Sequence, residues 1–352
     1  MDCFYAAVER LDNPSLTGKP LAVAHDTLRG VVATASYEAR AFGVHSAQSV
    51  VIAKRLCPTL VIVPPRMERY KEISRLIHNI FHRYTDDVEP ISLDEAYLDV
   101  TSNFLNIPLA TDIAKQIKRA IFQELHLTAS AGVSYCKLLA KMASDFNKPN
   151  GICVVHPDKA LSFLDDQPVE KLWLVGPKAA QEMHHMGICT VKQLRNISLD
   201  TLTAKFGKRG HLFFNYSRGI DDSAVISSRE RKSISCEHTF EQDIWKKSAV
   251  IIELYHIVNE LVGKICQKKF EGRTLTLKLK YANFSQVTRS ITFSRPLNRK
   301  EDILPLAKQL LGKIEYSEDM MIRLLGLGVA HSSDTSNPHR EELQLELTFD
   351  DF

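Results

Sequence analysis

The chain has 352 residues, 44% hydrophobic and 25% charged, with a formal net charge of +3. This composition excludes a disordered, fibrous or low-complexity chain, and the length suggests two to four domains. No run approaches the roughly eighteen apolar residues of a membrane-spanning helix, and the start MDCFYAAVERLDNP does not read as a secretory leader. Seven cysteines without a C-x-x-C pair read as reduced thiols in a cytoplasmic protein, packed as small hydrophobes, and not as a zinc ribbon.

In chain order, short apolar segments alternate with amphipathic helices up to about residue 155. Ile73, Leu76, Ile77, Ile80 and Phe81 predict a helix near 69–84, and Ile113, Ile117, Ile121 and Leu125 predict another near 110–125. This alternation points to an α/β or α+β domain. Residues 157–219 read as mostly helical, and residues 220–235 as a linker without periodicity. A second α/β pattern follows, with helices near 248–267 and 300–311 and strands near 274–281, 287–294 and 321–329. The last stretch is loop-like, and no internal repeat is present.

Charge is unevenly placed. Residues 1–228 hold 26 Lys+Arg and 24 Asp+Glu, residues 229–333 hold 18 and 12, and residues 334–352 hold 1 and 6. A basic domain followed by an acidic tail suggests a polyanion partner for the domain. Its densest stretch, 272–300, has no acid. In it Leu275, Leu277, Leu279 and Tyr281 alternate with Thr274, Thr276, Lys278 and Lys280. Such a strand could lie along a phosphate backbone; charge alone allows an ordinary solvated sheet face equally well.

Four stretches carry chemistry. In Ser92-Leu93-Asp94-Glu95-Ala96-Tyr97-Leu98-Asp99-Val100, two adjacent carboxylates meet an apolar strand. Hard oxygen donors of this kind suit Mg²⁺, provided a strand–turn junction brings both to one side. The plainer reading is a solvated turn before a buried strand. In Met1-Asp2-Cys3-Phe4-Tyr5-Ala6-Ala7-Val8-Glu9, two aromatics followed by small residues could floor a pocket or simply join the core. Thr34, Tyr37 and Arg40 stand at three-residue steps and could converge on a triphosphate. Asn147-Lys148-Pro149-Asn150-Gly151 is a tight turn presenting a lysine.

M-D-C-F-Y-A-A-V-E, A-T-A-S-Y-E-A-R-A-F-G-V, S-L-D-E-A-Y-L-D-V, T-A-S-A-G-V-S and A-S-D-F-N-K-P-N-G, in this order and spacing, resemble the Y-family of DNA polymerases in its bacterial branch. The resemblance covers nearly the whole chain and weakens after about residue 235. It implies an α+β multidomain right hand with a ferredoxin-like palm (1–10 and 67–157), small fingers (11–66) and a helical thumb with a helix-hairpin-helix (158–228). A linker (229–234), an α/β little finger (235–333) and a tail (334–352) complete it.

By the same resemblance, the chain is a template-directed, low-fidelity DNA polymerase for translesion synthesis, a monomer acting on primer-template DNA and dNTPs with two Mg²⁺ ions. Asp94 and Glu95 would be the catalytic metal ligands, with the Met1 backbone carbonyl offered to the second metal. Tyr5 would be the steric gate against a ribose 2′-OH, and Phe4, Tyr5, Thr34, Tyr37, Arg40 and Lys148 would bind the nucleotide. Gly176, Lys178, Lys208, Arg209, Lys278, Lys280, Arg289 and Arg295 would grip DNA. In the tail, Gln344, Leu345, Leu347 and Phe349 resemble the peptide that docks on a sliding clamp; a terminal strand pairing with its own domain is the plainer reading.

Two departures stand out. The family's first metal-binding aspartate falls immediately before Met1, at the end of an apolar strand, and Asp2 matches the family's next acidic residue instead. A start assigned too far downstream is the simple explanation, with natural loss of activity or a fragment as alternatives. In Lys171-Leu172-Trp173-Leu174-Val175-Gly176-Pro177-Lys178, Leu174 replaces the first hairpin glycine of the family, which puts DNA gripping there in doubt. The rival function is a catalytically impaired DNA- and clamp-binding protein. A nucleotide cyclase with a related palm leaves the thumb-like segment, the basic domain and the tail unexplained.

Overall fold

Phe4–Asp12 begins the fold as a helix, α1, whose Phe4, Tyr5, Ala6, Val8 and Glu9 are all buried. The computed structural model describes residues 1–228 and 230–331, which divide into two compact units: 1–26 with 30–228, and 27–29 with 230–331. After α1 come β1 (Leu21–Val23), β2 (Thr34–Ala35), α2 (Tyr37–Arg40), α3 (Val50–Leu56) and β3 (Val61–Val63). The strands form a small sheet of order β2-β1-β3, with β1 antiparallel to β2 and parallel to β3. Ala22, Ala24, Ala35, Ala39 and Ala53 crowd its core, so short side chains let α2 and α3 lie close to it.

The predicted helix near 69–84 is α4 (Met67–Phe81), and the one near 110–125 is α5 (Ala110–Leu125). Ile73, Ile77, Ile80 and Phe81 are buried as their spacing requires, whereas Leu76 is 41% exposed. α4 stops at Phe81 because the next residues turn: Arg83 and Tyr84 donate to the Ile80 and Phe81 carbonyls. Around these helices lie β4 (Val88–Pro90), β5 (Ala96–Leu98), β6 (Ala131–Ser134), α6 (Lys137–Phe146) and β7 (Ile152–Val155).

A ferredoxin-like palm suggests one continuous sheet, but these strands form two pairs. β4 and β5 are antiparallel, β6 and β7 parallel, and no described strand joins β5 to β6. A cavity of about 1000 Å³ is lined by β5 and β6, with Ile113, Ile117 and Ile121 of α5 among its walls. Gly132 on β6 lets α6 pack close: a Cβ there would lie 1.9 Å from the Ala140 carbonyl oxygen.

Residues 157–219 are mainly helical, with α7 (Ala160–Asp165), α8 (Pro177–His185), α9 (Val191–Arg195), α10 (Leu199–Phe206) and α11 (Lys208–Tyr216) around Leu164, Met183 and Phe213.

The second unit holds β8 (Ser233–Ile244), α12 (Lys247–Lys268), β9 (Thr274–Tyr281), β10 (Gln286–Thr292), α13 (Lys300–Leu311) and β11 (Ile322–Ala330). Its sheet has the order β10-β9-β11-β8 and is antiparallel throughout. Leu275, Leu277, Leu279 and Tyr281 are buried in one core with α12 and α13. β8 shortens the linker read at 220–235, since the strand already begins at Ser233. Its side chains are mostly polar, and its ladder comes from β11, with Ile234 and Cys236 facing the core.

Candidate active site

A tight turn between β4 and β5 carries Asp94 and Glu95. Ile91 N–H donates to the Glu95 carbonyl at 2.9 Å, which folds the chain back on itself. The strand–turn junction that both carboxylates needed is therefore present, and each is half-buried, 26% and 30% exposed. The Ser92 hydroxyl donates to Asp94 Oδ1 at 2.9 Å. The Met1 amino group donates to the Asp94 carbonyl at 2.8 Å and lies 3.7 Å from its carboxylate.

Cations and carboxylates alternate away from this turn. Lys141, on the buried side of α6, reaches Glu95 Oε1 at 2.9 Å and Asp145 at 3.5 Å. Asp145 also holds Lys148 at 2.7 Å. Burial opposes the charge of Lys148, but the Asp145 carboxylate, with Glu95 and Asp2 behind it, outweighs burial and raises its pKa. Burial likewise works against the Asp145 charge and is outweighed by the two lysines, so its pKa is lowered.

Sequence reasoning passed over Lys141 and Asp145. The signal was available: a lysine among Leu138, Leu139 and Ala143 on an amphipathic helix needs a buried partner, and Asp145 stands one turn on.

Asp2 is buried and pins the lysine turn. It accepts from the Ser130 hydroxyl at 2.7 Å and from the Asn150 N–H at 2.8 Å. Behind it, Asp2 N–H donates to the Thr128 carbonyl at 3.1 Å. Gly151 completes this turn because a Cβ would lie 1.9 Å from the Asn147 carbonyl oxygen.

The aromatics Phe4 and Tyr5 are 3% and 7% exposed, so they belong to the core as well as to the site. Burial, reinforced by the Asp94 charge, pushes the Tyr5 phenol up to about 12. Thr34 pairs with Val23 in the β1–β2 ladder. Burial, with the Asp2 charge next, pushes the Tyr37 phenol up to about 12. The Tyr37 hydroxyl is buried and no described residue bonds it. Arg40 lies over the Tyr37 ring at 5.0 Å and donates from Nε to the Ala35 carbonyl at 3.0 Å. A buried hydroxyl without a bonding partner among the described residues, on a ring covered by a guanidinium, leaves an unused donor facing its surroundings.

Among the described residues, no group of three or more His, Cys, Asp or Glu side chains is placed to hold a metal. Asp94 and Glu95 nonetheless form a hard-oxygen pair, and Mg²⁺ is commonly held by one or two carboxylates together with substrate phosphates and water. The donor chemistry fits that ion.

The residues expected to grip DNA are spread over both units. Lys178, Lys208 and Arg209 are exposed. Leu174, not Gly176, takes the left-handed conformation in the hairpin, with φ +67°, and Arg209 donates to its carbonyl. Gly176 has an ordinary extended φ of −81°. On the second unit, Lys278 is paired with Glu237 at 2.6 Å and Arg295 with Asp302 at 2.6 Å. The acid-free stretch 272–300 is thus partly neutralised by acids outside it, one of them 41 residues away in sequence. Lys280 is half-buried and Arg289 is exposed. Gln344, Leu345, Leu347 and Phe349 lie outside the described residues. No helix among the described residues is long and apolar enough to cross a membrane.

Residues 1–145 match the impB/mucB/samB family, 231–346 that family's C-terminal domain, and 171–221 a thumb domain described for DNA polymerase-iota. A protein of Bacteroides fragilis named DNA polymerase IV is 56% identical over 351 residues, which are 99% of this chain and 96% of that protein. A DNA polymerase IV of Akkermansia muciniphila is 49% identical over 350 residues, 99% of this chain and 97% of that protein. A solved Y-family DNA polymerase chimera superposes with a TM-score of 0.84 at 26% identity, over 94% of this chain and 96% of that one.

Proposed function

The chain belongs to the impB/mucB/samB family of Y-family DNA polymerases, and on that premise we propose how its own residues carry out template-directed translesion DNA synthesis. It is a DNA-directed DNA polymerase of an α+β multidomain fold, from a metal-dependent family. The rival, a protein that binds DNA without extending it, is not favoured, because relatives named DNA polymerase IV match the chain almost end to end.

One arrangement carries the mechanistic reading: Asp94 and Glu95 on a single turn, joined through Lys141 and Asp145 to Lys148. Asp94, Glu95 and the Met1 carbonyl are the groups that would hold two Mg²⁺. The chemistry those ions supply when bound is activation of the primer 3′-OH and neutralisation of charge on the triphosphate. Lys148, Arg40, Tyr37 and Thr34 bind the triphosphate. On this reading the Tyr37 hydroxyl finds its missing acceptor there, and Lys148 exchanges Asp145 for phosphate. Lys141 keeps Glu95 oriented in a half-buried setting, where positioning and fixed charge supply most of the catalysis. Tyr5, with Phe4 beside it, walls off the sugar.

Primer-template DNA is held by phosphate contacts. The hairpin at Gly176 with Lys178, the turn at Lys208 and Arg209, Lys278 and Lys280 on the outer face of β9, Arg289 on the edge strand β10 and Arg295 just after it all offer cations to it. The tail peptide at Gln344, Leu345, Leu347 and Phe349 docks on a sliding clamp. The chain works as a monomer in the cytoplasm, where its template is.

Primer extension with Mg²⁺ and four dNTPs tests the whole reading, run beside a binding assay on the same primer-template. Extension that Asp94→Ala removes is the expected result. Binding without extension in the parent chain restores the rival.

A further inference from the structure

Tyr5 is not held by its own contacts alone. Its ring stacks on Tyr70 of α4, with centroids 4.3 Å apart and planes 12° from parallel. Tyr70 is fully buried, and its hydroxyl donates to Glu9 Oε1 at 2.5 Å. Glu9 is 4% exposed, a position in which a carboxylate is costly unless it is paired and hydrogen-bonded. The partner is Arg66, just ahead of α4, whose Nε reaches both Glu9 oxygens at 3.0 and 3.1 Å. Arg66 Nη2 also bonds Asp12 at 2.7 Å, and Arg69 holds the same Asp12 at 2.9 Å.

These contacts form a closed loop. Tyr5 and Glu9 are four residues apart on α1 and so project from one face of it. Tyr70 fills the space between them, stacked on one and bonded to the other. The Tyr5 ring can retreat only if Tyr70 shifts, and Tyr70 can shift only by leaving a buried carboxylate that Arg66 anchors, Arg66 being tied in turn to Asp12 of α1, which Arg69 also holds. A wall that must reject one extra hydroxyl needs this stiffness, since a small relaxation would admit the larger sugar.

We propose that Glu9 is a positioning residue for sugar selection, acting through Tyr70 to hold the Tyr5 ring. This rests on Tyr5 facing the nucleotide sugar, and the experiment separates the two claims.

Glu9→Ala, Glu9→Gln, Tyr70→Phe and Tyr5→Ala are compared on primer-template DNA. The Kd for a matched ribonucleoside triphosphate and for its deoxy counterpart is measured on a dideoxy-terminated primer, and kcat and KM on an extendable one. The ratio between the two sugars is the readout, so a general loss of activity or stability cancels. Glu9→Ala and Tyr70→Phe are expected to erode the ratio by about tenfold, mostly through binding and KM of the ribonucleotide. Glu9→Gln keeps an acceptor for the Tyr70 hydroxyl and should stay within about threefold of the parent.

If Tyr5→Ala erodes the ratio while Glu9→Ala and Tyr70→Phe leave it at the parent value, the positioning inference is wrong and the gate stands. Erosion equal in Glu9→Gln and Glu9→Ala also overturns it, because the hydrogen bond to Tyr70 would then be irrelevant. A ratio unmoved by Tyr5→Ala removes the gate itself. Should Glu9→Ala not fold, Tyr70→Phe decides alone, since it leaves Glu9 paired with Arg66.

Discussion

The first unit and the second handle charge in opposite ways. Around Asp94 the first unit buries its ions: Asp2, Glu9 and Lys141 are each 9% exposed or less, and all have partners far away in sequence. The second unit sets cations such as Lys278, Lys280 and Arg289 along two neighbouring strands of a regular sheet, over a core that is mostly aliphatic. Buried, paired charges are coupled, so removing one disturbs the others. Exposed charges along a sheet act nearly independently. The lesson is that the chemistry should depend on single residues of the first unit, whereas affinity should be summed over many residues of the second.

The sharpest test is Asp94→Ala. Extension should fall by at least about a thousandfold, while primer-template binding by anisotropy stays within about twofold. Undiminished extension would sink the metal assignment and with it the contrast between the units. Next in size, Tyr5→Ala should raise ribonucleotide incorporation relative to deoxyribonucleotide by about a hundredfold, read from single-turnover kinetics.

Alkali offers a third test. The Tyr5 and Tyr37 phenols are raised to about 12 against an ordinary value near 10. A raised folded pKa gives stability that is fully present below the unfolded value and lost as pH rises through the folded one. Unfolding free energy should therefore drop between about pH 10 and 12, with these two phenolates appearing only at the top of that window. Early ionisation of both in the folded chain would show that the pocket is wetter than its geometry indicates.

Leu174→Gly addresses the hairpin. A leucine at φ +67° bears backbone strain of about 1 kcal/mol that glycine does not. The substitution should raise Tm by roughly 2 °C and tighten DNA binding. Unchanged Tm and affinity would mean that the hairpin already accommodates leucine.

The smallest effects belong to the second unit's sheet. Arg289→Ala should weaken DNA binding a few-fold and reduce the salt slope by about 1. Lys278→Ala should do less, because Glu237 already neutralises Lys278. A larger effect from Lys278 than from Arg289 would break the picture of independent contacts.

Periodicity was enough to find α5 across residues 110–125 and the buried face of β9 at Leu275, Leu277, Leu279 and Tyr281, because each element's burial is written in its own spacing. Motif order was enough to bring forward Asp94, Glu95, Tyr37 and Lys148. β8 was only half legible, since a strand of polar residues is defined by the neighbour that supplies its hydrogen bonds. No local pattern could announce that Glu95 meets Lys141 across 46 residues, that Asp2 pins Asn150 across 148, or that Glu9 takes the Tyr70 hydroxyl across 61. The sequence by itself determined which faces are apolar and which residues can do the chemistry. Only tertiary packing decided which buried charges neutralise one another, because that depends on which helix faces meet and not on the spacing within any one of them.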